Sequence, residues 1–307
     1  MQYEYQYIIR NNMNKKVRKL IIPAAGWGTR FLPMTKVVHK ELLPILDTPL
    51  ISLLVDEAIE AGIEEIILII SERKKDIANY FAVNKELETE LESKNKLSLL
   101  KKVKSTNKEG LIKIVIQHSQ NGLGHALACA KNVIKDEPFA IILGDDLIKS
   151  KVPAIKQLIE FYYKTGSNIL GVQSVSDSDI PKYGIVAPID ENEKSTNFFK
   201  IKGAVEKPKL SEAPSNKAIL GRYVFNSEIL DILSKIEYDG SNEIQVVDAF
   251  EKLQNEYKQD IYAFVFEGTR YDLGSVKGFV QANIDYALDN IELKDELTEF
   301  INEKLSE

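Results

Sequence analysis

Lys19-Leu-Ile-Ile-Pro-Ala-Ala-Gly-Trp-Gly-Thr-Arg-Phe-Leu-Pro33, continued by Lys36 and by Lys40-Glu-Leu-Leu-Pro44, is the stretch from which this chain is best read. Leu20 to Pro23 is apolar, with no helical stop before Gly26, so it reads as a buried strand running straight into a glycine loop. Gly26 and Gly28 let backbone N–H groups approach a ligand with no Cβ in the way, Thr29 adds a hydroxyl, and Arg30 a forked cation. A lone Gly-x-Gly is more often a tight turn with a solvated basic edge. Here Arg30, Lys36 and Lys40 follow closely and together match the charge of a triphosphate, which turns the reading toward a nucleotide. The spacing is neither G-x-G-x-x-G nor G-x-x-x-x-G-K-[ST], so neither a dinucleotide fingerprint nor a Walker loop is indicated.

Downstream, residues 49–62 place Ile51, Leu54, Val55, Ala58 and Ile59 at helical spacing and end on Gly62, a C-cap residue. Ile66 to Ile70 is continuously apolar, as a strand buried on both faces requires. Strand, helix and strand form the unit of a parallel sheet. A helix is expected over 74–81, and the charged segment 84–109, with leucines at 87, 91, 97, 99 and 100, reads as one or two helices standing off the sheet, the alternative being a disordered linker. The strand 111–117 delivers Gln117 to its carboxyl end, where α/β folds place ligands, and Asn121-Gly-Leu-Gly-His-Ala126 is a second glycine loop opening a helix. A carboxamide offers a donor and an acceptor together, as the imide edge of a pyrimidine needs. Without that loop, Gln117 reads equally as the end of a surface strand.

Phe139 to Leu143 is a further apolar strand, followed at once by Gly144-Asp145-Asp146. Carboxylates at such a terminus suit a hard divalent ion, and they also suit a turn that caps the next segment. Beyond Val152 the pattern changes to a helix over 153–163 and strands over 168–175, 183–189, 198–206 and 218–225, a mixed second half completing the same sheet. Helices are expected over 229–233 and 243–254, a strand over 260–267, and two closing helices over 275–288 and 292–305. Gly184 would permit close backbone approach. Glu206-Lys207-Pro208 sets an acceptor-only carboxylate beside a donor-only ammonium, with Pro208 biasing Lys207 toward extended backbone. An isolated Glu-Lys pair is more often a solvated turn.

The 307 residues suffice for one large α/β domain or two small ones, and 44% hydrophobic content supports a sizeable core. A net charge of −6 offers no footprint for nucleic acid or an anionic membrane, and the cations of the glycine loop stand out against it. The single cysteine, Cys129, excludes an internal disulfide and reads as a packed helix position. Neither a signal peptide nor an apolar run of about 20 residues is evident, so cytoplasmic placement is expected.

Ala24-Ala-Gly-Trp-Gly-Thr-Arg-Phe-Leu-Pro33, Thr35-Lys36 and Lys40-Glu-Leu-Leu-Pro44 resemble the signature of the sugar-nucleotide pyrophosphorylases, and most closely the bacterial UTP–glucose-1-phosphate uridylyltransferases. The resemblance continues through Glu206-Lys-Pro208, Ser215-Asn216 and Gly221-Arg-Tyr223 to about residue 300. It implies a Rossmann-like α/β fold of the nucleotide-diphospho-sugar transferase type, with a mixed, mostly parallel sheet flanked by helices. Residues 1–13 would be a tail, 14–290 one domain with a nucleotide half to about 150 and a sugar half beyond, and 291–307 a C-terminal helix. The implied reaction joins UTP and glucose 1-phosphate into UDP-glucose and pyrophosphate with Mg2+. Arg30, Lys40 and Lys207 would be catalytic; Ala24, Ala25, Gly26, Gly28, Thr29, Glu41, Gln117 and Gly122 would hold the nucleotide; Gly184, Glu206, Lys207 and Gly221 the sugar; Asp145 and Asp272 the metal. Gly124 and His125 would lie near the base. A homodimer or homotetramer is implied as well. A thymidylyltransferase making dTDP-glucose and a non-catalytic sugar-nucleotide-binding protein are the alternatives. Two departures stand out: His39 where the family usually has proline, and Trp27 in place of a smaller aliphatic residue, its place over the nucleotide or outward left open.

Overall fold

The computed structural model describes residues 15–190 and 196–307; the expected tail at 1–13 lies outside them. The apolar run of the opening motif forms β1 (Lys19–Pro23), and the chain leaves it through three 3-10 turns, Thr29–Phe31, Met34–Lys36 and Lys40–Leu42. A small hairpin of β2 (Pro44–Ile45) and β3 (Thr48–Pro49) leads into α1 (Leu50–Glu60), which buries Leu50, Ile51, Leu54, Val55 and Ala58. Gly62 then turns the chain at φ +85, a conformation an L side chain disfavours, into β4 (Glu65–Ile70). A 3-10 turn at Glu72–Lys74 and short α2 (Lys75–Asn79) replace the single helix expected over 74–81, and the excursion consists of α3 (Lys85–Ser93) and α4 (Leu97–Ser105).

The nucleotide half closes with β5 (Ile112–Ile116), α5 (Leu123–Cys129), α6 (Lys131–Ile134), β6 (Phe139–Ile142) and β7 (Asp146–Lys149). After α7 (Ala154–Thr165) come β8 (Asn168–Ser174), β9 (Gly184–Pro188), β10 (Phe198–Glu206), β11 (Lys217–Phe225), α8 (Glu228–Leu233), α9 (Phe250–Asn255), β12 (Ile261–Val265), β13 (Thr269–Asp272), α10 (Val276–Asp289) and α11 (Lys294–Ser306). Nine strands share one sheet in the order β5-β4-β1-β6-β11-β8-β12-β10-β9. The first four run parallel, β11 lies antiparallel beside β6, and the pairings beyond are mixed. Alternation along each strand divides the core between the two faces: Leu20, Ile22, Ile66, Leu68 and Ile70 pack on the α1 and α7 side, Ile21, Ile67, Ile69 and Ile141 on the α5 and α8 side.

Two further features depart from the sequence reading. The strands β7 and β13 form a separate antiparallel ribbon in which Asp146 pairs with Asp272; their four-residue lengths leave too little periodicity to detect. Residues 243–245 are not helical. A 3-10 turn begins only at Val246, and Ile244 exchanges backbone bonds with the second glycine loop instead, Gly124 N donating to Ile244 O at 2.8 Å and Ile244 N to Asn121 O at 2.8 Å.

Candidate active site

The carboxyl ends of β1, β4, β5 and β6 gather the first half of the site. Ala24 N donates to Ile69 O at 2.7 Å and Gln117 N to Ile70 O at 2.8 Å, which aligns the glycine loop with Gln117 across the sheet edge. Gly28 takes φ +70, and its carbonyl accepts from the Thr35 hydroxyl at 2.8 Å. A Cβ there would stand 3.3 Å from Lys40 Cβ, so the close approach of loop and lysine depends on glycine. His39 has φ −68, within the range a proline would impose. The backbone at this position would therefore accept a proline as readily as the histidine.

Lys40 Nζ donates to Asp145 Oδ2 at 2.8 Å. Arg30 bridges the two expected metal carboxylates: Nη2 lies 3.8 Å from Asp145 Oδ2 and Nη1 3.9 Å from Asp272 Oδ2. The β7–β13 ribbon makes this convergence possible, with Leu273 N donating to Asp145 O at 2.8 Å. Burial pushes the Asp145 carboxyl upward, but the Lys40 ammonium and Arg30 outweigh it and hold the group below the usual carboxylate range. Burial likewise opposes the charge on Lys40, and Asp145 more than restores it. Among the described residues no group of three or more acidic, histidine or cysteine side chains could enclose a metal. Two carboxylates with oxygen donors alone nonetheless fit Mg2+, which takes one or two from protein and completes its shell with water and substrate phosphate.

Two adjoining recesses meet at Asp145. The larger, about 670 Å3, is lined by Ala25, Gly26, Gly28, Thr29, Lys40, Gln117 and Gly122; the smaller, about 260 Å3, by Arg30, Gly184, Glu206, Lys207 and Asp272. The structure thus brings together most of the residues expected from sequence, and leaves six of them off the walls, Gly124 and His125 among them. Ala24 is buried, its carbonyl accepting from Lys74 Nζ at 2.8 Å. Glu41 is 0% exposed with both carboxylate oxygens on Lys74, so its side chain faces the interior rather than a ligand. Gly221, at φ +73, packs against Asp146: a Cβ there would meet Asp146 Oδ2 at 2.4 Å. Lys36 stands exposed on the second 3-10 turn and lines neither recess.

Lys207 corrects another expectation. It is not extended but has φ +45, while its N–H continues the ladder to Tyr183 O at 3.1 Å; tertiary pairing overrides the bias from Pro208. A non-glycine residue so placed costs of order 1–3 kcal/mol, and such strain gathers at functional sites. Its ammonium lies 3.3 Å from Glu206 Oε1. Gln117 is 4% exposed and its Nε2 lies 2.9 Å from His125 Nδ1. Trp27, 63% exposed, borders the larger recess, and the Arg73 guanidinium lies 3.2 Å over its ring centroid.

Several site residues escaped the sequence reading. Arg270 donates from Nε to Asp146 Oδ1 at 2.5 Å and from Nη1 to the Tyr183 hydroxyl at 2.8 Å, on the wall of the smaller recess. It precedes Asp272 by two, and the period of a strand would have set both on one face. Glu243 reaches the larger recess and Gln245 the smaller, from the segment misread as helix. Gly122, at φ +104, admits that segment, for a Cβ would lie 2.5 Å from Ile244 O.

A fold of this kind, with a glycine loop, cations and two carboxylates around adjoining recesses, is that of the nucleotidyl transferase family, to which the chain belongs: the family matches residues 19–288. Among its relatives, the UTP–glucose-1-phosphate uridylyltransferase of Staphylococcus epidermidis is 48% identical over 289 residues, 94% of this chain and 99% of the relative. A UTP-bound UDP-glucose pyrophosphorylase from Acinetobacter baumannii superposes with a TM-score of 0.85 at 36% identity, covering 94% of this chain and 99% of that one. A UDP-glucose pyrophosphorylase in complex with UDP-glucose superposes with a TM-score of 0.78 at 36% identity, covering 89% of this chain and 100% of that one. No helix among the described residues is long and apolar enough to cross a membrane.

Proposed function

We infer that this nucleotidyltransferase joins UTP and glucose 1-phosphate into UDP-glucose and pyrophosphate. The observation that carries the reading is the meeting of the two recesses at Asp145, beside Lys40 and Arg30. The larger recess is assigned to UTP and the smaller to glucose 1-phosphate, which brings the sugar phosphate and the α-phosphorus together at their junction.

In this reading Gln117 and Gly122 face the base, and the backbone from Ala25 to Thr29 cradles the phosphates. Lys40 and Arg30 hold the triphosphate and the departing pyrophosphate, Glu206 accepts from sugar hydroxyls, and Lys207 draws in the sugar phosphate. A sugar phosphate is already anionic at neutral pH, so its oxygen attacks the α-phosphorus without a base, and alignment and charge offset are what the protein supplies. Mg2+ held by Asp145 and Asp272 supplies charge offset at the α-phosphate when bound. Residues 14–290 act as one catalytic unit, in the cytoplasm. A homodimer or homotetramer belongs to the same reading, supported by the exposed apolar row Val276, Val280 and Ile284 on α10.

Pyrophosphate release with glucose 1-phosphate and Mg2+, comparing UTP with dTTP, tests the assignment. Preference for UTP is expected. Preference for dTTP would move the base assignment to the thymidylyl type, since Gln117 reads an imide edge that uracil and thymine share. Tight UDP-glucose binding with no release from either nucleotide would establish the non-catalytic binder instead.

A further inference from the structure

We propose that the buried Glu41–Lys74 ion pair is a positioning device for Lys40, setting the register between that lysine, the glycine loop and Asp145. The inference rests on the phosphate role assigned to Lys40 above.

Lys74 is 1% exposed and Glu41 0%. All three donors of the ammonium are used: Glu41 Oε1 at 2.9 Å, Glu41 Oε2 at 2.7 Å and Ala24 O at 2.8 Å. These acceptors belong to different parts of the site. Ala24 is the first residue of the loop after β1, while Glu41 directly follows Lys40 in one 3-10 turn. Gly144 closes the arrangement from a third side, where a Cβ would lie 2.8 Å from Pro23 O and 3.8 Å from Glu41 Cγ. The next residue is Asp145, the partner of Lys40. The neighbouring Arg73 reaches the following carbonyl of the loop, donating to Ala25 O at 3.3 Å. One turn, Glu72–Lys74, therefore holds two consecutive carbonyls of the glycine loop.

Stability alone is a poor reason for this arrangement. Desolvating two charges offsets much of their attraction, and a well-packed apolar pair of similar volume often serves a core as well. What the ion pair adds is direction. Three charge-assisted bonds from one nitrogen set the distance between the Lys40 turn and the end of β1, which apolar contact leaves free to slide. Neither side chain lines a recess, so the pair acts through Lys40 rather than on substrate.

The test is a kinetic cycle on the full chain, following pyrophosphate release by wild type, Lys40→Met, Glu41→Met with Lys74→Met, and the triple variant. Removing both charges avoids stranding one of them in the core. The paired variant is expected to unfold cooperatively yet lose on the order of ten- to a hundredfold in kcat, as a displacement near 1 Å can cause. The triple variant should be no more than about threefold slower than Lys40→Met, because a pair that acts through Lys40 has nothing left to position. Effects that multiply, or wild-type kcat in the paired variant, overturn the proposal. If the paired variant does not fold, Lys74→Arg enters the same cycle: it keeps the charge but spreads its donors in a planar fork. Wild-type kcat there, or a loss that multiplies with Lys40→Met, again counts against the pair. A wild-type protein that releases no pyrophosphate sinks the functional reading alone, and the cycle is then read as UTP dissociation constants by calorimetry with the same criteria.

Discussion

Lys40 Nζ and Asp145 Oδ2 lie 2.8 Å apart, joining residues separated by 105 positions at the junction of the two recesses. Asp145→Asn removes the charge while keeping the shape. The expected outcome is a loss of turnover of a hundredfold or more, of the order seen when a charge-stabilising group is removed, in a variant that still unfolds cooperatively but at a lower midpoint, because the Lys40 ammonium loses its partner. Wild-type turnover of the variant in Mg2+ would show that Asp145 is no metal ligand.

Lys207 combines a site cation with a strained backbone at φ +45. Lys207→Ala keeps the strain and Lys207→Gly relieves it, so the glycine variant should be the more stable of the two by about 1 kcal/mol. Both should lose at least about tenfold in turnover if the ammonium steers the sugar phosphate. Denaturant titration and pyrophosphate release separate the two effects, and equal stabilities would remove the argument from strain.

Trp27 is the only tryptophan of the chain and borders the larger recess. Its intrinsic emission is therefore expected to change on titration with UTP, through displacement of the Arg73 guanidinium or direct contact. Glucose 1-phosphate alone, held in the other recess, should leave the emission unaltered. An emission indifferent to saturating UTP would place Trp27 outside the nucleotide's reach.

Gly221 contacts Asp146 rather than lining a recess. Gly221→Ala should lower the unfolding free energy by more than about 1 kcal/mol, since it adds a clash to an unfavourable φ. Gly26→Ala, with nothing within 4 Å of the new Cβ, is the control. Equal melting temperatures for the two variants would contradict the close packing at Gly221.

Burial, and then the nearby Lys74 ammonium, lower the pKa of His39 from its ordinary value. The folded protein therefore binds this proton less readily than the unfolded chain. The contribution to stability is complete above the unfolded value near 6.5 and is lost as pH falls through the depressed folded value. An NMR titration of the imidazole should give a midpoint below that of an exposed histidine. A midpoint at or above it would contradict the burial argument.

The strand before the glycine loop, the buried runs at 66–70 and 139–142, the helix capped at Gly62 and the carboxyl-end positions of Gln117 and Asp145 were all legible in the sequence. Each rests on a local signal: a period of apolar residues, a glycine at a turn, a polar residue directly after a strand. The partners of the charged groups carry no such signal. Lys74 lies 33 residues from Glu41, and Arg270 lies 124 from Asp146, so nothing in the neighbourhood of either announces the pairing. The same holds for Ile244, whose backbone bonds to the second glycine loop displaced a plausible helix, and for Lys207, whose ladder bond to Tyr183 O overrode the preference set by Pro208. Local chemistry thus determined where the chain could form elements and where a phosphate could approach. Only the packed sheet decided which charges face a ligand and which face one another, because burial leaves an ionised group few alternatives to whatever partner the fold brings within reach.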